Sequence, residues 1–128
     1  MADRLIEAAR AAQQHAHCPY SHYRVGAALE TAEGAVFVGS NVENASFGLT
    51  ICAERSAVFA AVSAGARKFR RIVVATDSEP PGPPCGACRQ VLAEFGSELE
   101  VESVGPTQSR RWTIRELLPD AFTGEFLS

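Results

Sequence analysis

The sequence contains the unbroken apolar run Ile72-Val73-Val74-Ala75 within residues 69–76. A strand with one face in water alternates apolar and polar residues, whereas a run without alternation is typical of a strand covered on both faces. Segments with helical periodicity stand before and after this run. We therefore expect a central strand that lies between two layers of helices.

The segments around this strand complete a pattern of helices and strands. Before it, the sequence predicts a helix with an apolar stripe from Leu5 to Ala16 that Pro19 ends, a hairpin of residues 23–30 and 35–41, and a helix over 51–64. After it, the sequence predicts a helix over 86–95, a strand marked by Leu99, Val101 and Val104, a short strand over 111–113 and a terminal helix. The order α-β-β-α-β-α-β-β-α predicts an α/β fold, a three-layer α-β-α sandwich with a mixed five-stranded sheet. We expect residues 1–128 to form a single domain.

Capping residues predict where two of these helices begin and end. Thr50 is expected to be the N-cap of the second helix, and Gly65 its C-terminal stop. Thr113 and Glu116 have the spacing of a capping box, which predicts the start of the terminal helix.

Composition and charge narrow the classes of function. The chain has 128 residues, of which 46% are hydrophobic and 21% are charged, and its formal net charge is −3. An acidic chain is poorly suited to a phosphate backbone, so we expect no polynucleotide partner. The longest apolar stretch, residues 57–62, is too short to cross a bilayer, and the N-terminus does not resemble a signal peptide. We expect a cytoplasmic protein without a membrane partner.

The four cysteines indicate a metal site. Cys85-Gly86-Ala87-Cys88 places two thiols on one helical turn, and Cys52 adds a third from the start of another predicted helix. The dipole at a helix N-terminus stabilises a thiolate. Three ligands with an open fourth position are typical of catalytic zinc, so we expect one Zn²⁺ per chain. The alternatives are a closed zinc site with Cys18 as fourth ligand and a redox Cys-x-x-Cys pair.

Two charged residues follow Cys52 in the predicted helix. Glu54 is placed to hold a carboxylate beside the metal, where it can shuttle a proton from an activated water. Arg55 is the best candidate to donate hydrogen bonds to the cysteine sulfurs and offset their charge, with Arg89 as the second candidate. Cys-x-Glu upstream of Pro-Cys-x-x-Cys is the signature of zinc nucleobase deaminases.

The chain resembles the small homotetrameric cytidine deaminases over nearly its whole length. The resemblance is carried by Pro19-Tyr20-Ser21, Val25-Gly26-Ala27-Ala28-Leu29, Asn41-Val42-Glu43-Asn44-Ala45, Ile51-Cys52-Ala53-Glu54-Arg55, Pro84-Cys85-Gly86-Ala87-Cys88-Arg89-Gln90 and Glu116-Leu117-Leu118-Pro119. It implies hydrolytic deamination of cytidine and deoxycytidine to the uridines with release of ammonia, a reaction of pyrimidine salvage. Zinc-bound hydroxide would attack C4 of the base, and Glu54 would move the proton.

The same resemblance implies contacts with the nucleoside. The backbone around Ala53 would hold the pyrimidine edge, and Asn41 and Glu43 would bind the ribose 3′-hydroxyl. Tyr23 stands where the family usually has a phenylalanine against the nucleoside.

Two further aromatic residues are assigned to the site by resemblance. Phe47 stands where some members have tyrosine, and Phe122 matches an aromatic residue that reaches into a neighbouring subunit's site. Core packing is the alternative role for both. We expect a homotetramer, which small residues on one helix face would also suit; a tightly packed monomer core would show the same residues, Ala57, Ala60, Ala61 and Ala64.

Two other functions compete with this interpretation. A deaminase of another cytosine nucleoside, such as blasticidin S, would share the fold and metal motif. A non-catalytic interaction module stabilised by zinc would have no use for Glu54 beside its metal.

Overall fold

Within residues 3–127, which the computed structural model describes, five strands form one mixed sheet. The strands are β1 (Gly26–Thr31), β2 (Val36–Ser40), β3 (Phe69–Ala75), β4 (Glu100–Val104) and β5 (Ser109–Thr113). Their spatial order is β2-β1-β3-β4-β5; β3 and β4 are parallel, and the other neighbouring pairs are antiparallel. The predicted mixed five-stranded sheet is confirmed.

Helices cover both faces of this sheet, as the sequence predicts. They are α1 (Arg4–Gln13), α2 (Ala53–Ser63), α3 (Gly86–Ala93) and the one-turn α4 (Ile114–Leu117), with 3₁₀ turns at Phe47–Leu49 and Gly124–Leu127. None of the helices in the described part of the chain has the length and apolar character needed to cross a membrane.

The central strand β3 separates two hydrophobic cores. Val73 and Ala75 belong to the core beneath α1, whereas Ile72 and Val74 belong to the core beneath α2 and α3. All four side chains are buried, with at most 3% of their surface exposed. The run without alternation therefore forms a strand with both faces covered, as predicted.

The predicted N-cap of α2 is wrong. Thr50 ends the 3₁₀ turn, and Cys52 is the residue that precedes the first helical turn. Ile51 pairs with Val42 in an antiparallel bridge, which keeps the chain extended until Cys52. The helix can begin only after this bridge, so a metal-ligand candidate occupies the N-cap position.

The first helix is also shorter than its apolar stripe predicts. It ends at Gln13, so Ala16 lies beyond it. His17 pairs with Val42 in a parallel bridge, and the chain must leave the helix before this residue, well ahead of Pro19.

The predicted end of α2 and the predicted start of α4 agree with the structure. Gly65 follows α2 with a φ of +98°, a conformation that glycine adopts without strain, and so ends the helix as predicted. The Thr113–Glu116 capping box is present at the start of α4. The last strand begins at Ser109, two residues earlier than predicted, because it pairs with the full length of β4.

Gly39 sets the distance between β2 and α2. A Cβ atom at this position would lie 2.5 Å from the carbonyl oxygen of Ala53 and 2.5 Å from the backbone nitrogen of Ala57. Both atoms belong to the backbone of α2, so they cannot rotate away as a side chain could. The glycine therefore allows the first turn of α2 to rest directly on the sheet.

Substitution of Gly39 tests this close approach. Gly39→Ala should lower the free energy of unfolding by about 1–3 kcal/mol, because the added methyl group forces α2 away from β2. Gly48→Ala is the matched control, since its Cβ would have no neighbour within 4 Å. Urea titration followed by circular dichroism measures both variants. Equal midpoints for the two would show that α2 does not depend on Gly39.

Candidate metal centre and active site

The three predicted zinc ligands lie together. Cys52 directly precedes α2, Cys85 directly precedes α3, and Cys88 lies in the first turn of α3. The Sγ–Sγ distance is 3.7 Å for Cys52 and Cys85 and 3.5 Å for Cys85 and Cys88. All three sulfurs lie within 4.8 Å of one another, so one ion can contact them all.

The spacing of the sulfurs fits tetrahedral zinc. A Zn–S bond of about 2.3 Å in tetrahedral geometry separates two sulfur ligands by roughly 3.8 Å. The observed distances are far longer than the roughly 2.05 Å of a disulfide, and all four cysteines are free thiols. Cys18 lies outside the cluster, which leaves the fourth position of a tetrahedral ion without a cysteine among residues 3–127.

Arg55 contacts the sulfur cluster. Its Nη2 atom donates a hydrogen bond to Cys52 Sγ at 3.4 Å. Hydrogen bonds from Cys88, from Arg55 and from Cys85 lower the pKa of Cys52 to about 5, against the opposing effect of burial. The hydrogen bond with Cys52 and burial raise the pKa of Cys88. Arg89 instead donates to the carbonyl oxygens of Pro84 and Leu117.

Glu54 lies in the first turn of α2 and is almost fully enclosed. Only 5% of its surface is exposed. Burial, together with the nearby thiolate of Cys52, raises the pKa of Glu54 to about 7. A carboxyl group with this pKa can both accept and release a proton near neutral pH, as a general acid–base group must.

A cavity of about 270 Å³ opens beside Glu54 and the cysteines. Its size lies near the lower end of the range for small-molecule sites, roughly 300–1,000 Å³. Its walls come from the segment before β1, the end of β2, the start of α2, the end of β3 and the loop before α3. They include Tyr23, Val25, Asn41, Ile51, Cys52, Ala53, Glu54, Val74, Thr76, Gly82, Pro83 and Cys85.

Of the two residues assigned to ribose binding, one lines the cavity and the other does not. Asn41 lines the cavity, where its Oδ1 accepts from the Val25 backbone nitrogen at 2.9 Å and its Nδ2 donates to the Tyr23 carbonyl at 2.8 Å. Glu43 lies outside the cavity wall. Its carboxylate accepts from the backbone nitrogens of Tyr20 and Ser21 at 3.1 Å and from the Ser21 hydroxyl.

Phe47 and Phe122 are exposed in the isolated chain. Their exposed fractions are 74% and 58%, and neither lines the cavity. Phe47 makes an edge contact with Tyr20, and Phe122 stacks on Phe126. Core packing, the alternative role for both rings, is therefore wrong.

The proline-rich loop, residues 77–84, is a cavity wall that the sequence interpretation missed. Gly82 and Pro83 line the cavity. The Gly82 carbonyl accepts from the Ser103 hydroxyl at 2.7 Å, and Glu79 accepts from the backbone nitrogen of Thr107 at 2.8 Å. Its position between a buried strand and Cys85 was the available signal, because such loops border the sites of open α/β sheets.

Comparison with known proteins defines the class of this fold and site. Residues 1–101 match the family described as the cytidine and deoxycytidylate deaminase zinc-binding region. The chain belongs to this family, which confirms the predicted fold class and zinc as the metal.

Individual relatives are similar over nearly the whole chain. A probable cytidine deaminase of Dictyostelium discoideum is 52% identical over 127 residues, which cover 98% of this chain and 86% of the relative. A cytidine deaminase of Halalkalibacterium halodurans is 49% identical over 123 residues, which cover 94% and 93%. The crystal structure of cytidine deaminase from Burkholderia pseudomallei is 50% identical and superposes with a TM-score of 0.89, covering 95% of this chain and 100% of that one.

The ligand set predicts how zinc content responds to loss of each thiol. Cys18→Ser should retain one zinc per chain, because Cys18 lies outside the sulfur cluster. Cys85→Ser should lose most of its zinc, because two thiolates and a hydroxyl are a weaker donor set. Elemental analysis of the purified proteins measures both. Equal loss of zinc in the two variants would instead support a closed site with four cysteine ligands.

Proposed function

We propose that this protein is a cytidine deaminase that hydrolyses cytidine and deoxycytidine to uridine and deoxyuridine, with release of ammonia, in pyrimidine salvage. The observation that carries this proposal is the buried Glu54 beside three clustered thiols, at the wall of a cavity sized for a small molecule. Bound by Cys52, Cys85 and Cys88, zinc would supply a Lewis acid that activates water.

Glu54 is the catalytic residue in this proposal. It accepts a proton from the attacking water and passes it to N3 of the base; it then accepts the proton of the new C4 hydroxyl and passes it to the departing amine. One water is consumed, and the amine leaves as ammonia. The raised pKa of Glu54 suits both transfers, because the group is neither a permanent carboxylate nor a permanent acid near neutral pH.

The remaining site residues bind the nucleoside or support the metal. Ala53 and Tyr23 line the cavity and are positioned to contact the base and sugar. Asn41 and Glu43 bind the ribose in this proposal; the hydrogen bonds of Asn41 to Val25 and Tyr23 fix its amide at the cavity wall. Arg55 offsets the negative charge of the thiolates through its hydrogen bond to Cys52.

The active form is a homotetramer in this proposal. Phe47 and Phe122 are exposed at a distance from the core, as rings that complete a neighbouring subunit's site would be. Phe59 on α2 is 48% exposed and borders an apolar groove between α2 and α3, which gives a second surface for assembly. We place the enzyme in the cytoplasm, because clustered free thiols persist in a reducing compartment.

Substitution of Glu54 tests its proton transfer. Glu54→Gln should retain fold and zinc but lose about 10²–10⁴-fold in kcat, because an amide keeps the shape and cannot exchange the proton. The exposed Glu7→Gln, in the first turn of α1, is the matched control and should keep full turnover. The fall in ultraviolet absorbance of cytidine measures kcat. Retention of more than about a tenth of the activity would contradict the assigned role.

The range of substrates tests the nucleoside assignment. Cytidine and deoxycytidine should be deaminated with kcat/KM at least about 10²-fold above that of free cytosine, because the base alone leaves the ribose-binding groups unpaired. CMP and blasticidin S complete the panel, each assayed separately. Equal values for cytosine and cytidine would argue against the roles of Asn41 and Glu43. Preference for blasticidin S would identify the alternative substrate.

A further inference from the structure

Three hydroxyl groups from two segments of the chain form a hydrogen-bonded row, and two of them belong to residues of the cavity wall. Tyr23 Oη donates to Ser78 Oγ at 3.0 Å, and Ser78 Oγ lies 3.2 Å from Thr76 Oγ1. Tyr23 precedes β1, Thr76 directly follows β3, and Ser78 lies at the start of the proline-rich loop. We name this row the hydroxyl relay.

The protons of the relay can be counted. Each hydroxyl carries one proton and can also accept hydrogen bonds. The Tyr23 proton is donated to Ser78, and either oxygen can be the donor between Ser78 Oγ and Thr76 Oγ1. A relay that runs in one direction has Ser78 donating to Thr76. Hydrogen bonds that run in one direction along a chain strengthen one another. The proton of Thr76 is then left over, at the end of the relay.

Thr76 is held at a fixed position beside the cavity. Only 8% of its surface is exposed, and it is part of the cavity wall. Its backbone nitrogen donates to the Val104 carbonyl at 2.9 Å, which extends the β3–β4 pairing by one residue. The side chain therefore stands on the sheet itself and not on a loose loop.

We propose that the Thr76 hydroxyl donates a hydrogen bond to an oxygen acceptor of the bound nucleoside, and that Ser78 and Tyr23 set its direction. This inference rests on the proposed function, since it assigns a group that binds the substrate of that reaction. Thr76 is the specificity-determining contact, and Ser78 and the Tyr23 hydroxyl are positioning residues that act through it.

Asp77 holds the relay in place before any ligand binds. Its carboxylate accepts from the Arg24 backbone nitrogen at 3.0 Å and from Gln13 Nε2 at 3.1 Å. The residue between Thr76 and Ser78 is thus tied both to α1 and to the segment that carries Tyr23. A donor held in this way loses little conformational freedom when it binds a ligand.

The direct test removes the hydroxyl of Thr76. Thr76→Val keeps the shape and should raise the KM for cytidine about 3- to 10-fold with kcat nearly unchanged, because a single neutral hydrogen bond to the substrate is lost. Thr76→Ser restores the hydroxyl and should restore KM. The exposed Ser97→Ala is the control for removal of a hydroxyl elsewhere. An unchanged KM in Thr76→Val, with a lower melting temperature, would show a purely structural tie and overturn the proposal.

The relay itself is tested by combining substitutions. Tyr23→Phe and Ser78→Ala should each raise KM about 2- to 4-fold, because Thr76 can then turn its proton away from the ligand. The double variant should be no worse than Ser78→Ala alone, since both changes interrupt one chain. Additive effects, or no effect of either change, would show that Tyr23 and Ser78 do not act through Thr76.

A binding measurement separates this inference from the proposed function. Uridine is titrated into the unmodified protein and into Thr76→Val by calorimetry, with ammonia release from cytidine assayed in parallel. A Kd weakened about 3- to 10-fold in the variant supports the contact, even if no ammonia is formed and the proposed reaction fails. Equal affinities, or no binding of uridine to either protein, would overturn the contact whatever the turnover.

Discussion

Three sulfur atoms lie within 4.8 Å of one another because α2 and α3 begin at the same end of the sheet. Cys52 and Cys85 are 33 residues apart in the chain, so local geometry cannot bring them together. The two helices share a core with β3, and this packing aligns their first turns. Gly39 completes the arrangement, because it lets α2 lie against β2 without an intervening methyl group.

The meeting of the two helix starts also concentrates the negative charge of the cysteine thiolates, which the surrounding residues must offset. A dication bound by three thiolates leaves a net charge of about −1, and Glu54 adds a carboxyl group that burial separates from water. Each helix N-terminus contributes roughly half a positive charge, and Arg55 supplies a full one to Cys52. The two helix N-termini and Arg55 therefore provide the positive charge that stabilises the thiolate ligands.

Much of this arrangement can be predicted from the sequence, and the exceptions share a cause. The doubly covered β3 follows from Ile72-Val73-Val74-Ala75, and the sulfur cluster from the spacing of the cysteines. The boundaries of α1 and α2 fail because Val42 pairs with both His17 and Ile51. These bridges pair residues from different segments of the chain, so neither the local hydrophobic periodicity nor the capping pattern at Thr50 can predict them.

The proline-rich loop, which contributes Gly82 and Pro83 to the cavity wall, should determine how a ligand enters. Four prolines fix much of its backbone, and the carbonyls of Pro81, Gly82 and Pro84 accept from Arg110, Ser103 and Arg89. A loop held in this way does not need to fold over an arriving molecule. Association should then be limited by diffusion and orientation. Differences in affinity between related ligands should therefore arise mainly from their dissociation rates.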